Sequence, residues 1–95
     1  MKLIKISRTA NYSETFSNEP LGEGVHMIVT DAKSFGKAIR KRRKQLGYTQ
    51  AYLSEFTGMS VSFLSDLENG KPTIELEKAI RIANQLGLDC SVTER

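Results

Sequence analysis

A chain of 95 residues can bury one modest core but hardly two, so whatever it does belongs to one compact unit. Its 14 Lys and Arg against 11 Asp and Glu give a net charge of +3, and Lys33, Lys37, Arg40, Lys41, Arg42, Arg43 and Lys44 crowd between residues 32 and 50 with no acidic residue among them, a density that suits either a polyanionic partner or a solvated helix face. The single cysteine, Cys90, excludes an internal disulfide and a thiolate zinc site, no apolar run reaches the ~20 residues of a membrane span, and Met1-Lys2 opens no signal-peptide core; a soluble protein of the reducing cytoplasm is expected, with no membrane partner.

In chain order, the opening MKLIKIS predicts a short edge strand. RTANYSETFSNEPLGEGVH lacks helical periodicity and reads as an irregular connection or arm. Residues 1–27 are therefore expected to form an N-terminal strand and arm, with 28–95 as the folded domain; whether Met27 is an alternative start is left open by the sequence. The patch Met27-Ile28-Val29 leads into Thr30-Asp31, whose side chains are good helix caps. Phe35, Ala38, Ile39 and Leu46 then recur at helical spacing and predict a first helix over 32–46, closed by Gly47. Arg43 falls on that apolar stripe and needs a partner for its charge.

Thr49 caps a second helix, QAYLSEFT, with Leu53 and Phe56 inward and Gly58 at its end. Ser60 caps a third, VSFLSDLEN, with Leu64 and Leu67 inward and Gly70 at its end. A fourth, from Thr73 to Leu86, carries Leu76, Ala79, Ile80, Ala83 and Leu86 on one side and stops at Gly87. The period then changes to two, with Leu88, Cys90 and Val92 alternating with polar residues, which predicts a strand. Its backbone must pair with KLIKI or with the same strand of a second copy. Ile82 lies off the main stripe of the fourth helix and would be exposed in a monomer, so Ile82, Leu88, Cys90 and Val92 are expected at a homodimer interface. The fold class is mainly α: a bundle of four to five short helices with terminal strands able to pair across a dimer.

The three-residue turn GMS between the second and third helices has the spacing of a helix-turn-helix, in which the second helix of the pair enters the DNA major groove. Leu64 and Leu67 pack, while Val61, Ser62, Ser65 and Asp66 form the opposite side, short enough for close approach to base pairs. The run IRKRRKQLGYTQAYLSEFTGMSVSFLSDLENGKPTIELEKAIRIANQLGLD resembles the lambda/Cro-type (Xre) helix-turn-helix family, and its end, LENGKPTIELEKAIRIANQLGLDCSV, resembles HipB-type antitoxins. The likeness spans about residues 28–93 and implies a lambda-repressor-like bundle that binds double-stranded DNA, and a dimer of it would predict an inverted-repeat operator. It also implies that Gln50 holds a phosphate through its amide and the helix end, that Val61, Ser62 and Asp66 read bases, and that Asn69 and Lys71 contact backbone phosphates. Ser60 is an N-cap whose hydroxyl could also reach the DNA, and Phe63 is expected to pack. Glu68 matches the family's acidic partner for Arg43, a structural ion pair.

Catalysis is not expected. His26 is the only histidine, Gly22-Glu-Gly24 lacks the strand, lysine and helix of a phosphate loop, and no catalytic, metal or cofactor set can be assembled. Two functions fit: a dimeric repressor that is the autoregulating antitoxin beside a HipA-like kinase toxin, or a module that binds such a toxin with weak or no DNA binding.

Overall fold

The computed structural model describes residues 2–8 and 26–95. Strand β1 (Lys2–Arg8) is followed by β2 (His26–Val29), helices α1 (Ala32–Gln45), α2 (Gln50–Thr57), α3 (Val61–Glu68) and α4 (Leu76–Gln85), and strand β3 (Leu88–Glu94). The segment read as an irregular arm, with Gly22-Glu-Gly24, lies outside the described residues except for its ends. The described residues form a bundle of four helices beside a three-stranded antiparallel sheet of order β2-β1-β3. No described helix is long and apolar enough to cross a membrane.

Local signals in the sequence place the helix boundaries. Asp31 and Ser34 close a reciprocal capping box on α1: the Ser34 amide donates to the Asp31 carboxylate at 2.8 Å and the Asp31 amide to the Ser34 hydroxyl at 3.1 Å. Those bonds to Ser34 hold the Asp31 carboxyl below its ordinary pKa, so the cap keeps its charge at neutral pH and loses it only in acid. Thr49 and Ser60 accept from Tyr52 and Phe63 in the same way. The helices stop where expected, with Gly47, Gly58, Gly70 and Gly87 all left-handed. Helix α4 begins at Leu76, three residues later than the periodicity suggests, because Lys71 to Ile74 close a turn around Pro72, in which the Ile74 amide reaches the Lys71 carbonyl at 3.1 Å.

The core joins Val29, Phe35, Ala38, Ile39, Leu53, Leu64, Leu67, Ala79, Ile82, Ala83, Leu86 and Leu88. Two residues expected inside are outside. Phe56 is 47% exposed because it joins a side-chain ladder with Tyr48 and Tyr52 at helical spacing. Leu76 is 62% exposed, since the buried face of α4 is the stripe Ala79, Ile82, Ala83 and Leu86, rotated toward β3, which packs on this helix.

That rotation corrects the expected dimer contact. Ile82 is fully buried within one chain and Leu88 nearly so, as core rather than interface residues, while Cys90 is half-buried and Val92 59% exposed. The strand at residues 2–8 is not an edge but the centre of the sheet, with Ile4 in register with Val29 on one side and with Val92 on the other. β3 therefore has its ladder partner within the chain, and β2 crosses the expected boundary between residues 27 and 28.

Ile82→Ala should lower unfolding stability by about 2–5 kcal/mol in urea titration, because it empties a packed site. A variant that lost self-association but kept its unfolding midpoint would show that this side chain lies at an interface instead.

Candidate nucleic-acid interface

The interface is built outward from a buried charge. Arg43, on the inner face of α1, donates from Nε to Glu68 Oε2 at 2.7 Å and from one terminal nitrogen to Glu68 Oε1 at 2.9 Å. Its other terminal nitrogen donates to the Tyr48 carbonyl at 2.8 Å, and both side chains of the pair are at least nine-tenths buried. All three guanidinium nitrogens thus donate, and the bond to Glu68 raises the already high pKa of Arg43. Gln50, first residue of α2, adds a bond from Nε2 to Glu68 Oε1 at 3.1 Å. One carboxylate therefore ties together α1, the start of α2 and the end of α3.

The turn between α2 and α3 is stiffened by Thr57, whose hydroxyl donates to the Leu53 carbonyl at 2.6 Å and accepts from the Met59 amide at 3.2 Å. Ser60 then caps α3, so its hydroxyl oxygen has a structural task, as expected. Below the cap, Leu64, Leu67 and Glu68 face inward. Val61 and Ser62 at the leading end are exposed, and Ser65 and Asp66 one turn on are half-buried. The four candidate base-reading residues share one face, and it is the face left open. Phe63 is half-buried against the core with the Lys78 ammonium 5.9 Å from its ring centroid.

At the far end of α3 the candidate phosphate contacts lean back on that face. Lys71 approaches the Asp66 carboxylate at 3.5 Å, and the Asn69 amide reaches the Ser65 hydroxyl at 3.4 Å. Both contacts are exposed and weak, so a competing phosphate oxygen can draw either donor away. Lys71 also offsets the Asp66 charge, which would otherwise repel a phosphate.

Sequence reading missed two participants. The tie from Gln50 to Glu68 has no signature in the one-dimensional pattern. Arg42 does have one, since it lies three residues after Ile39 and seven after Phe35; it is buried, and its Nε donates to the Leu86 carbonyl at the end of α4 at 2.8 Å. Burial, and secondarily Asp89, push the Cys90 thiol pKa up, which favours the protonated form. Among the described residues no group of three or more His, Cys, Asp or Glu gathers as a metal site.

A short helix, a tight glycine turn and a second helix with its leading end uncovered define a helix-turn-helix protein. The chain belongs to that family: the model described as helix-turn-helix, of the Cro/C1 type, matches residues 39–92, from within α1 to within β3. Among curated relatives, the ImmF control region 10 kDa protein of Bacillus phage phi105 is 36% identical over 62 residues, 65% of this chain and 69% of that protein. An uncharacterized HTH-type transcriptional regulator of Haemophilus influenzae is 32% identical over 65 residues, 67% of this chain and 64% of its own length. The HTH-type transcriptional regulator y4mF of Sinorhizobium fredii is 35% identical over 57 residues, 60% of this chain and 72% of that protein. No solved structure matches the chain.

Glu68→Ala should cost about 3 kcal/mol or more in thermal or urea unfolding, because it leaves the Arg43 charge buried without a partner. Replacing both members with apolar residues, Arg43→Met with Glu68→Leu, should recover much of that loss. An unchanged melting temperature in the single variant would contradict the buried pair.

Proposed function

We propose that this DNA-binding transcriptional regulator is a sequence-specific repressor that acts as a homodimer on an inverted-repeat operator, and that it is the autoregulating antitoxin of a HipA/HipB-like pair. The observation that carries the reading is the open face of α3, with Val61 and Ser62 exposed at its leading end while its other side is anchored through Glu68. The control-region and transcriptional-regulator names of the relatives support the same reading. The task is positioning rather than chemistry, so no cofactor or catalytic residue is needed.

In this reading Val61 meets a thymine methyl, Ser62 and Ser65 exchange hydrogen bonds with base edges, and Asp66 accepts from cytosine or rejects wrong sequences. Gln50 donates a second amide proton to a phosphate beside the free amides of the α2 end, Ser60 adds its hydroxyl, and Asn69 and Lys71 grip the next stretch of backbone. The second copy is joined along the outer edge of β3, where Val92 and Cys90 remain accessible to differing degrees. The half-sites then lie about one helical turn, or a multiple, apart.

A second reading has its own support: the Tyr48, Tyr52 and Phe56 ladder leaves two half-exposed aromatic rings on α2, a composition that suits a protein partner such as a kinase toxin. Both activities can reside in one chain. If toxin binding is the main one, DNA binding will be weak.

Binding to the DNA upstream of the protein's own gene should weaken steeply with salt, and Gln50→Ala should weaken binding to all sequences while Ser62→Ala relaxes discrimination by about 1 kcal/mol or more at one position. Salt-insensitive or absent binding would favour the interaction module. Sedimentation should give a dimer, and a monomer at the concentrations that repress would remove the inverted-repeat model.

A further inference from the structure

Helix α3 presents a problem for a DNA-binding element, because Val61–Glu68 contains no Lys or Arg and two carboxylates. The counterion-release attraction that supplies most non-specific affinity must come from neighbouring elements. Lys71, in the loop after α3, is already shared with Asp66.

The other cation at that edge is delivered by α1. Gly70 has φ +80°, and a Cβ there would stand 2.7 Å from the Lys33 Cα and 2.9 Å from its Cγ. One helical turn further along α1, a Cβ on Gly36 would enter the Leu67 carbonyl oxygen and come within 2.7 Å of the Glu68 carbonyl oxygen. Two glycines thus let the first turns of α1 lie directly on the end of α3, with the Lys33 Cα and Cγ against the open side of Gly70. Lys33 is exposed, and Lys37 follows one turn later on the same exposed stripe.

The helix dipole opposes a lysine at this place, and the N-cap carboxylate of Asp31 is the local charge that favours it. Residue 33 is the second position of α1, where the helix dipole favours anions and disfavours cations, and that first turn contains no acidic residue. Lys33 and Lys37 both act on the Asp31 carboxylate, yet among the described residues neither forms an ion pair with it.

We propose that Lys33, backed by Lys37, is a further phosphate-binding anchor: with Lys71 it straddles Gly70 and holds the sugar–phosphate strand bordering the groove that α3 enters. This rests on the DNA-binding reading above and extends the interface from the helix-turn-helix onto α1. It also gives Gly70 a second reason to be glycine, since a side chain there would displace the Lys33 stem.

The test is fluorescence anisotropy with a labelled duplex carrying the upstream region of the protein's own gene, titrated from low to physiological salt. Lys33→Gln should reduce the slope of log affinity against log salt by about 1 and weaken binding about fivefold at physiological salt, with unchanged melting temperature. Lys33→Arg should keep the slope, and Lys44→Gln, at the opposite end of α1, should leave it as in the wild type. A steep wild-type slope that Lys33→Gln leaves intact, or that Lys44→Gln reduces equally, overturns the anchor while sparing the DNA-binding reading. A wild-type protein without salt-dependent binding overturns both.

Discussion

The carboxylate of Glu68 is the constraint on which the rest of the architecture depends. Buried among apolar side chains, it would be costly alone, and it is tolerated because three donors from Arg43 and Gln50 converge on its two oxygens. Each donor belongs to a different part of the helical bundle from the acceptor. Satisfying the charge therefore fixes α1, the entry to α2 and the end of α3 in one arrangement. Hydrophobic packing supplies most of the stability, but Leu64 and Leu67 would tolerate small rotations of α3 that a bidentate fork does not. A helix that must present side chains to a groove at a defined angle benefits from such an anchor.

The outer face of the same helix follows the opposite rule. Its side chains are small and uncharged or weakly compensated, and the bonds at its far end, from Lys71 to Asp66 and from Asn69 to Ser65, are long and solvent-exposed. Rigidity on the inner side and exchangeable contacts on the outer side are what a recognition element requires. The positive charge is displaced to elements beside it, so attraction and discrimination reside in different residues.

Much of this was legible in the sequence because it depends on local chemistry. Capping residues and glycines marked helix ends, a three-residue turn marked the helix-turn-helix, and a charge on an apolar stripe announced the Arg43 pair. Expectation and structure part where tertiary context chooses between faces. Helix α4 is amphipathic over a broad arc, and which edge of that arc is buried was decided by β3 returning over it, so Ile82 went inside and Leu76 outside. The spacing of Phe56 from Leu53 suits a core stripe, whereas its spacing from Tyr48 and Tyr52 suits a ladder, and the ladder prevails. Arg42 was readable from the same periodicity that exposed Arg43, while the Gln50 bond depends on a crossing angle that no linear pattern encodes.

The central place of β1 has a temporal consequence. Lys2 pairs with Glu94, nearly the full chain apart, whereas the helical contacts close over short loops. On a ribosome β1 emerges well before β3, so their ladder must wait for residues 88–94 and the helical module can assemble ahead of that half of the sheet. During that interval the β3-facing edge of β1, paired on its other side by β2, is open to other nascent copies nearby.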